Sequence, residues 1–242
     1  MPTIRATSQF PDMLLYSLGQ MHILDPDYPK RLKRFLSGDQ HIYLCNASGT
    51  GKTRLLFESL AQEWGIYLTC FHDRTSDPYG SPDLQKALSE LAWDDDNNRI
   101  LSDIALSSPD SEQALILNRQ RVATLLRRVI LARLLVLDCF IDVVNEMHIP
   151  DAVARRKWLI LQLLPTETVG EDVFVRLIGY IDDLSDPEVF ARISTLRVTS
   201  RAKAAFVAID EAQVALKMHR YSFVLKIQER DRYARRRVVK EG

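Results

Sequence analysis

Surplus charge of either sign is what this chain most plainly lacks. Lys+Arg and Asp+Glu both number 32, so the formal net charge at pH 7 is zero. Overall charge therefore gives no argument for a nucleic-acid or membrane partner. Cysteine is scarce as well: Cys45, Cys70 and Cys139 form an odd, scattered set. Such a set suits a reducing compartment better than a disulfide framework, and it lacks the paired spacing of a zinc site. A long uncharged apolar run is also missing. The most apolar stretch, residues 122–144, is broken by Arg127, Arg128, Arg133, Asp138 and Asp142. It reads as a buried helix and not as a bilayer span. The opening MPTIRATSQFPD holds no apolar stretch of the signal-peptide kind. The expected setting is soluble and intracellular, cytoplasmic or nuclear. The five histidines (His22, His41, His72, His148, His219) show no metal-ligand spacing and read as structural or surface residues.

What is present is ample material for a core: 46% of 242 residues are hydrophobic, enough for one large domain. Residues 1–40 read as an arm, in which Pro29 opens a short helix. Leu32, Phe35 and Leu36 share its apolar face, while Lys30, Arg31, Lys33 and Arg34 point outward. HIYLC at 41–45 reads as a buried strand, and 46–51 as a turn-rich loop. Leu55, Leu56, Leu60 and Trp64 then follow helical spacing up to a stop at Gly65. GIYLTCF at 65–71 is a second strand, so 41–81 carries the first part of a βαβ, parallel-sheet core. Residues 82–195 read as helices throughout, clearest at 119–147, 152–164 (stopped by Pro165) and 171–184. WDDDNN at 93–98 reads as a surface loop. The segment 196–242 returns to strand at 204–210, then a helix over 211–219. SFVLKI at 222–227 reads as strand or helix end, and a basic tail follows. Locally, charge is uneven: 71–112 carries ten acids against three basic residues, and 229–242 six basic residues against three acids.

Two motifs carry chemistry. Residues 46–53, N-A-S-G-T-G-K-T, match the Walker A phosphate-loop pattern G-x-x-x-x-G-K-[ST] at all but the first glycine. Asn46, Ala47, Ser48, Gly49, Thr50, Gly51, Lys52, Thr53 and the adjoining Arg54 are the candidate nucleotide-binding residues. Gly49 and Gly51 let the backbone curl so that N–H groups face phosphate oxygens. A helix starting at about Gly51 adds its dipole. Lys52 reaches the β- and γ-phosphates, and the Thr53 hydroxyl ligates Mg²⁺. Asn46 tolerates a left-handed backbone better than most residues, so the turn can survive there. A plain glycine-rich turn between strand and helix is the bland alternative, but it does not call for adjacent lysine and threonine at the helix start. The second motif is AAFVAIDEAQ at 204–213, an apolar strand ending in Asp210-Glu211. It fits a Walker B carboxylate on the metal, Asp210, followed by a water-polarising base, Glu211. It fits equally an acidic helix start after a buried strand. Lys52 and Glu211 are thus the catalytic candidates, and Thr53 and Asp210 the metal candidates.

Together these motifs resemble the additional-strand glutamate group of P-loop ATPases, which includes AAA-like and STAND-type enzymes. More narrowly, YLCNASGTGKTRLLFESLAQEWG, RRVILARLLVL, RRKWLILQLLP and AIDEAQ resemble fungal P-loop proteins described as Crinkler-like. The resemblance implies an α/β, three-layer P-loop core with a parallel sheet and a large all-helical insertion at 82–195. It also implies ATP (or GTP) and Mg²⁺ as cofactors, and hydrolysis that drives a conformational switch. The chain departs from the pattern after Walker B. Only 31 residues follow Glu211, and none reads as a sensor strand with a polar tip, so the core looks shortened. That weakens hydrolysis more than binding and keeps open a nucleotide-binding interaction or effector protein with little turnover. The insertion is the candidate lid or protein-partner surface, and assembly into oligomers is open. The tail (Arg230, Arg232, Arg235, Arg236, Arg237, Lys240) reads as a solvated helix face or, less well, as a nucleic-acid contact. Arg119, Arg121, Arg127 and Arg128 are too many to single out an arginine finger.

Overall fold

The computed structural model describes residues 14–36, 42, 44, 49–73, 79–92, 109–199 and 206–218. In chain order the elements are α1 (Met21–Leu24), α2 (Tyr28–Leu36), α3 (Lys52–Gln62), β1 (Gly65–Thr69), α4 (Asp83–Ala92) and α5 (Pro109–Glu146). They continue as α6 (Asp151–Leu163), α7 (Pro165–Val169), α8 (Val173–Ile181), α9 (Asp186–Thr199), β2 (Phe206–Asp210) and α10 (Ala212–Met218). The fold is mixed α/β and mostly helical. The expected loop at 93–98, the stretch 222–227 and the basic tail all lie outside the described residues, as does Cys45.

β1 and β2 pair in parallel, with Gly65 opposite Phe206 and Thr69 opposite Asp210. Parallel neighbours need a long crossover, and here it carries α4 to α9. All five β1 residues are buried, as an apolar GIYLT segment covered on both faces requires. Tyr67 and Ala208 pack with Leu56, Phe57 and Leu60 of α3 and with Leu159 and Leu163 of α6. On the opposite face Ile66, Leu68 and Cys70 meet Leu84, Ala87 and Leu88 of α4, Val129 of α5 and Ala215 of α10. The helices of 82–195 thus share the sheet's own core.

On its second edge β1 is met by α6. Tyr67 N–H donates to Gln162 Oε1 at 2.8 Å, while Trp158 Nε1 and Gln162 Nε2 donate to the Gly65 carbonyl at 2.7 and 3.3 Å. These side chains satisfy peptide groups of a strand buried on both faces. Trp158 is itself enclosed by Phe140 and Phe174, with ring centroids 5.5 and 6.2 Å away.

Several boundaries differ from the sequence reading. No strand is formed at Ile42 or Leu44, and His41, Tyr43 and Cys45 lie outside the described residues. α3 ends at Gln62, short of the expected stop at Gly65, and the strand that Gly65 opens ends at Thr69, not at Phe71. A side chain at Gly65 would meet Leu60 Cδ2 at 2.6 Å and the Phe206 carbonyl at 2.9 Å, so close packing selects the glycine. Pro165 opens α7 as well as ending α6, since its missing N–H costs nothing in a first turn. Among the described residues, no helix is long and apolar enough to cross a membrane.

Arg133, one of the charges breaking the apolar 122–144 stretch, is fully buried against an equally buried Asp83. Its Nε and Nη2 donate to Asp83 Oδ2 and Oδ1, both at 2.8 Å, and its guanidinium lies 3.7 Å from the Phe174 ring centroid. This fork ties the start of α4 to the middle of α5. Asp83→Ala would strand a buried cation and should cost about 3–5 kcal/mol in urea unfolding. The apolar pair Asp83→Leu with Arg133→Met should recover most of that loss. A mild Asp83→Ala effect would show that water reaches the pair.

Candidate functional site

The site begins with backbone angles. Gly49 and Gly51 hold φ of 77° and 81°, the left-handed region that favours glycine. Among the described residues a Cβ at either would meet nothing within 4 Å, so the backbone angle is the constraint seen at both glycines. Gly51 caps α3, and its carbonyl accepts the helix's first bond from Leu55 N–H at 2.9 Å. Lys52 and Thr53 are therefore the opening residues of α3, both half-buried. An α-helix points its first N–H groups out of this end, where the dipole favours an anion. Asn46, Ala47 and Ser48 lie outside the described residues.

The direction of the elements carries the two motifs to the same end of the sheet. The Phe57 and Tyr67 rings lie 5.2 Å apart, and Leu60, one turn later on α3, sits against Gly65, earlier on β1. Helix and strand therefore run in opposite senses. Eleven helical residues span about 16 Å, and five strand residues also span about 16 Å. The start of α3 is thus level with the end of β1, and the parallel register brings Asp210 to that same end.

Asp210 is only 9% exposed. Its Oδ2 accepts from the Tyr67 hydroxyl at 3.2 Å and its Oδ1 from Glu211 N–H at 3.0 Å. Its carbonyl accepts from Cys70 N–H at 3.1 Å. Glu211 has a φ of 52°, an uncommon angle for a residue with a side chain, and such residues gather at functional turns. Its carboxylate accepts from Gln213 Nε2. Tyr67 had no signal in the sequence beyond being a strand residue.

Arg54 is turned elsewhere. It donates to the carbonyls of Leu14 (2.6 Å) and Ser17 (3.2 Å) and pairs with Glu58. Of the arginine-finger candidates, Arg119 and Arg127 line an open groove of about 410 Å³ with Thr124 and Asp186. Arg128 donates to the Leu184 carbonyl at 3.3 Å, with Asp182 and Asp186 each 3.8 Å away.

No group of three or more His, Cys, Asp or Glu side chains able to hold a metal occurs among the described residues. Mg²⁺ asks for less, since it keeps several waters and takes one or two carboxylates plus phosphate oxygens. The Thr53 hydroxyl and the Asp210 carboxylate fit such a sparse set. Each Asp210 oxygen accepts one bond here and has capacity for another.

The elements thus define a mixed α/β protein with a parallel strand pair, helices on both faces, and a glycine turn level with a strand-end carboxylate. No family model matches the chain, and comparisons with curated proteins and with solved structures found no match.

Cys70 reports on the carboxylate turn. Burial first, then the charges of Asp210 and Glu211, lift its thiol from 9.0 to about 11, against a lowering bond from the Ala215 backbone. The folded state therefore favours the neutral thiol. Its contribution to stability is whole below pH 9.0 and is lost as pH rises towards about 11. Unfolding midpoints of wild type and Cys70→Ala should converge over that window. A constant difference between them would show an accessible thiol.

Proposed function

We propose that this chain is a Mg²⁺-dependent nucleotide-binding protein of the P-loop type, taking ATP or GTP at residues 46–53 and hydrolysing it. The observation that carries this reading is the pair of left-handed glycines opening α3, level with the strand end that bears Asp210. A three-layer P-loop core agrees with helices packed on both sheet faces. The Gly49–Gly51 turn and the first turn of α3 cradle the phosphates, and Lys52 neutralises the β- and γ-phosphate charge. Mg²⁺, when bound, supplies further neutralisation of the transferring phosphoryl group. Thr53 and Asp210 would hold it there, with Asp210 oriented by the Tyr67 hydroxyl. Glu211, which follows Asp210 and has a left-handed backbone, orients the attacking water.

A second reading, binding with little turnover, is favoured by one observation: Gln213 Nε2 donates to one oxygen of the Glu211 carboxylate. In that case the protein would act as a nucleotide-dependent interaction module.

Lys52→Ala should weaken binding of fluorescent ATP and GTP analogues at least about tenfold, because a charge-assisted bond is worth about 1.5–3 kcal/mol. Wild-type affinity in a folded Lys52→Ala sample would contradict the site. Glu211→Gln should bind normally and slow single-turnover hydrolysis by about 10²–10⁴-fold. Negligible wild-type turnover would instead select the second reading.

A further inference from the structure

We infer that Arg54 is a positioning residue, through which the segment 14–19 sets the affinity of the phosphate loop. The inference rests on the nucleotide reading above and adds a control to it. Arg54 directly follows Thr53, yet its guanidinium reaches back to the Leu14 and Ser17 carbonyls, residues 40 and 37 positions earlier. On the same helix face, one turn on, Glu58 is fully buried. Its Oε1 accepts from Arg54 Nη2 and from Gly19 N–H, the latter at 3.0 Å. Its Oε2 has no hydrogen-bond partner among the described residues. Tyr28 of α2 closes the surroundings; burial, then the Glu58 charge, hold its phenol above the ordinary range.

The segment is tied by more than this. Ser17 and Gly19 both have positive φ, 50° and 81°, so the chain doubles back tightly. Leu14, Leu15 and Leu18 pack against the cluster of Leu56, Phe57 and Leu60. A Cβ at Gly19 would sit 3.3 Å from Arg156 Cδ and 3.7 Å from Ala61 Cβ. The polar tie is costly to release, because the buried Glu58 carboxylate would lose the Gly19 N–H and the Arg54 guanidinium would lose two carbonyl acceptors. It grips α3 next to the residue proposed to ligate the metal. The rotation and depth of the first turn of α3 therefore depend on whether the segment is seated. A guanidinium fork can hold two carbonyls and a carboxylate at once, whereas a lysine ammonium is a single point donor group. Linkage makes the effect reciprocal: if the seated segment favours nucleotide, nucleotide must favour the seated segment.

The test uses the full chain and a fluorescent Mg²⁺–ATP analogue, with hydrogen exchange followed at residues 14–19. Arg54→Lys keeps the charge beside Glu58 and should keep the fold by circular dichroism while weakening binding about fivefold or more. Gly19→Ala, which strains the segment without altering α3, should weaken binding in the same direction and stands in should Arg54→Lys not fold. Nucleotide should slow exchange at 14–19 in wild type and leave it unchanged in Lys52→Ala. If wild type binds through Lys52 while Arg54→Lys and Gly19→Ala bind equally well, the inference falls and the nucleotide site stands. If wild type does not bind, both fall.

Discussion

The peptide groups of β1 impose the constraint on which the rest of the molecule is arranged. A strand buried on both faces must have both of its edges satisfied, and an orphaned buried group costs about 1–3 kcal/mol. β2 serves one edge. On the other, Gln162 and Trp158 of α6 satisfy the Tyr67 N–H and the Gly65 carbonyl. From these contacts the remaining placements follow. α6 lies against α3, sharing Leu159 and Leu163 with Leu56 and Leu60. α3 is thereby held antiparallel to β1, and the start of α3 arrives at the end of the sheet where Asp210 stands.

The buried Asp83–Arg133 fork has a comparable place on the other face. It joins α4, which packs under Ile66 and Leu68, to the long α5. A charge in an apolar helix stretch is costly unless paired, so the two residues specify how α4 and α5 meet as well as stabilising the contact. Both faces of a small sheet are thus positioned by polar groups brought from distant parts of the chain. The proposed site gathers at the rim that these contacts leave in place.

The sequence made local features legible and long-range pairings illegible. β1 and β2 could be read because short apolar runs with β-branched residues are strand-like on their own. The glycine turn could be read because left-handed angles leave few residue choices at Gly49 and Gly51. The start of α5 at Pro109 was missed by ten residues, although a proline followed by acids is a helix-opening signal. Asp172, which caps α8 by accepting from Phe174 and Val175 N–H, was a similar local cue. By contrast, nothing near Gln162 tells that its partner lies 95 positions away. Nothing in KTR distinguishes an arginine facing phosphate from one facing Leu14 and Ser17. The strand expected at 41–45 rested on composition alone, and Ile42 and Leu44 do not form one.

That the first turn of α3 and the tip of β2 serve one Mg²⁺–nucleotide site is tested most directly by a double-mutant cycle. The quantity to measure is the gain in nucleotide affinity on adding Mg²⁺, for wild type, Thr53→Ala, Asp210→Asn and the double variant. A shared ion predicts that the double variant loses little more than the worse single one, because either change removes the same gain. Losses that simply add would mean two independent effects, and the two segments would not hold one ion between them.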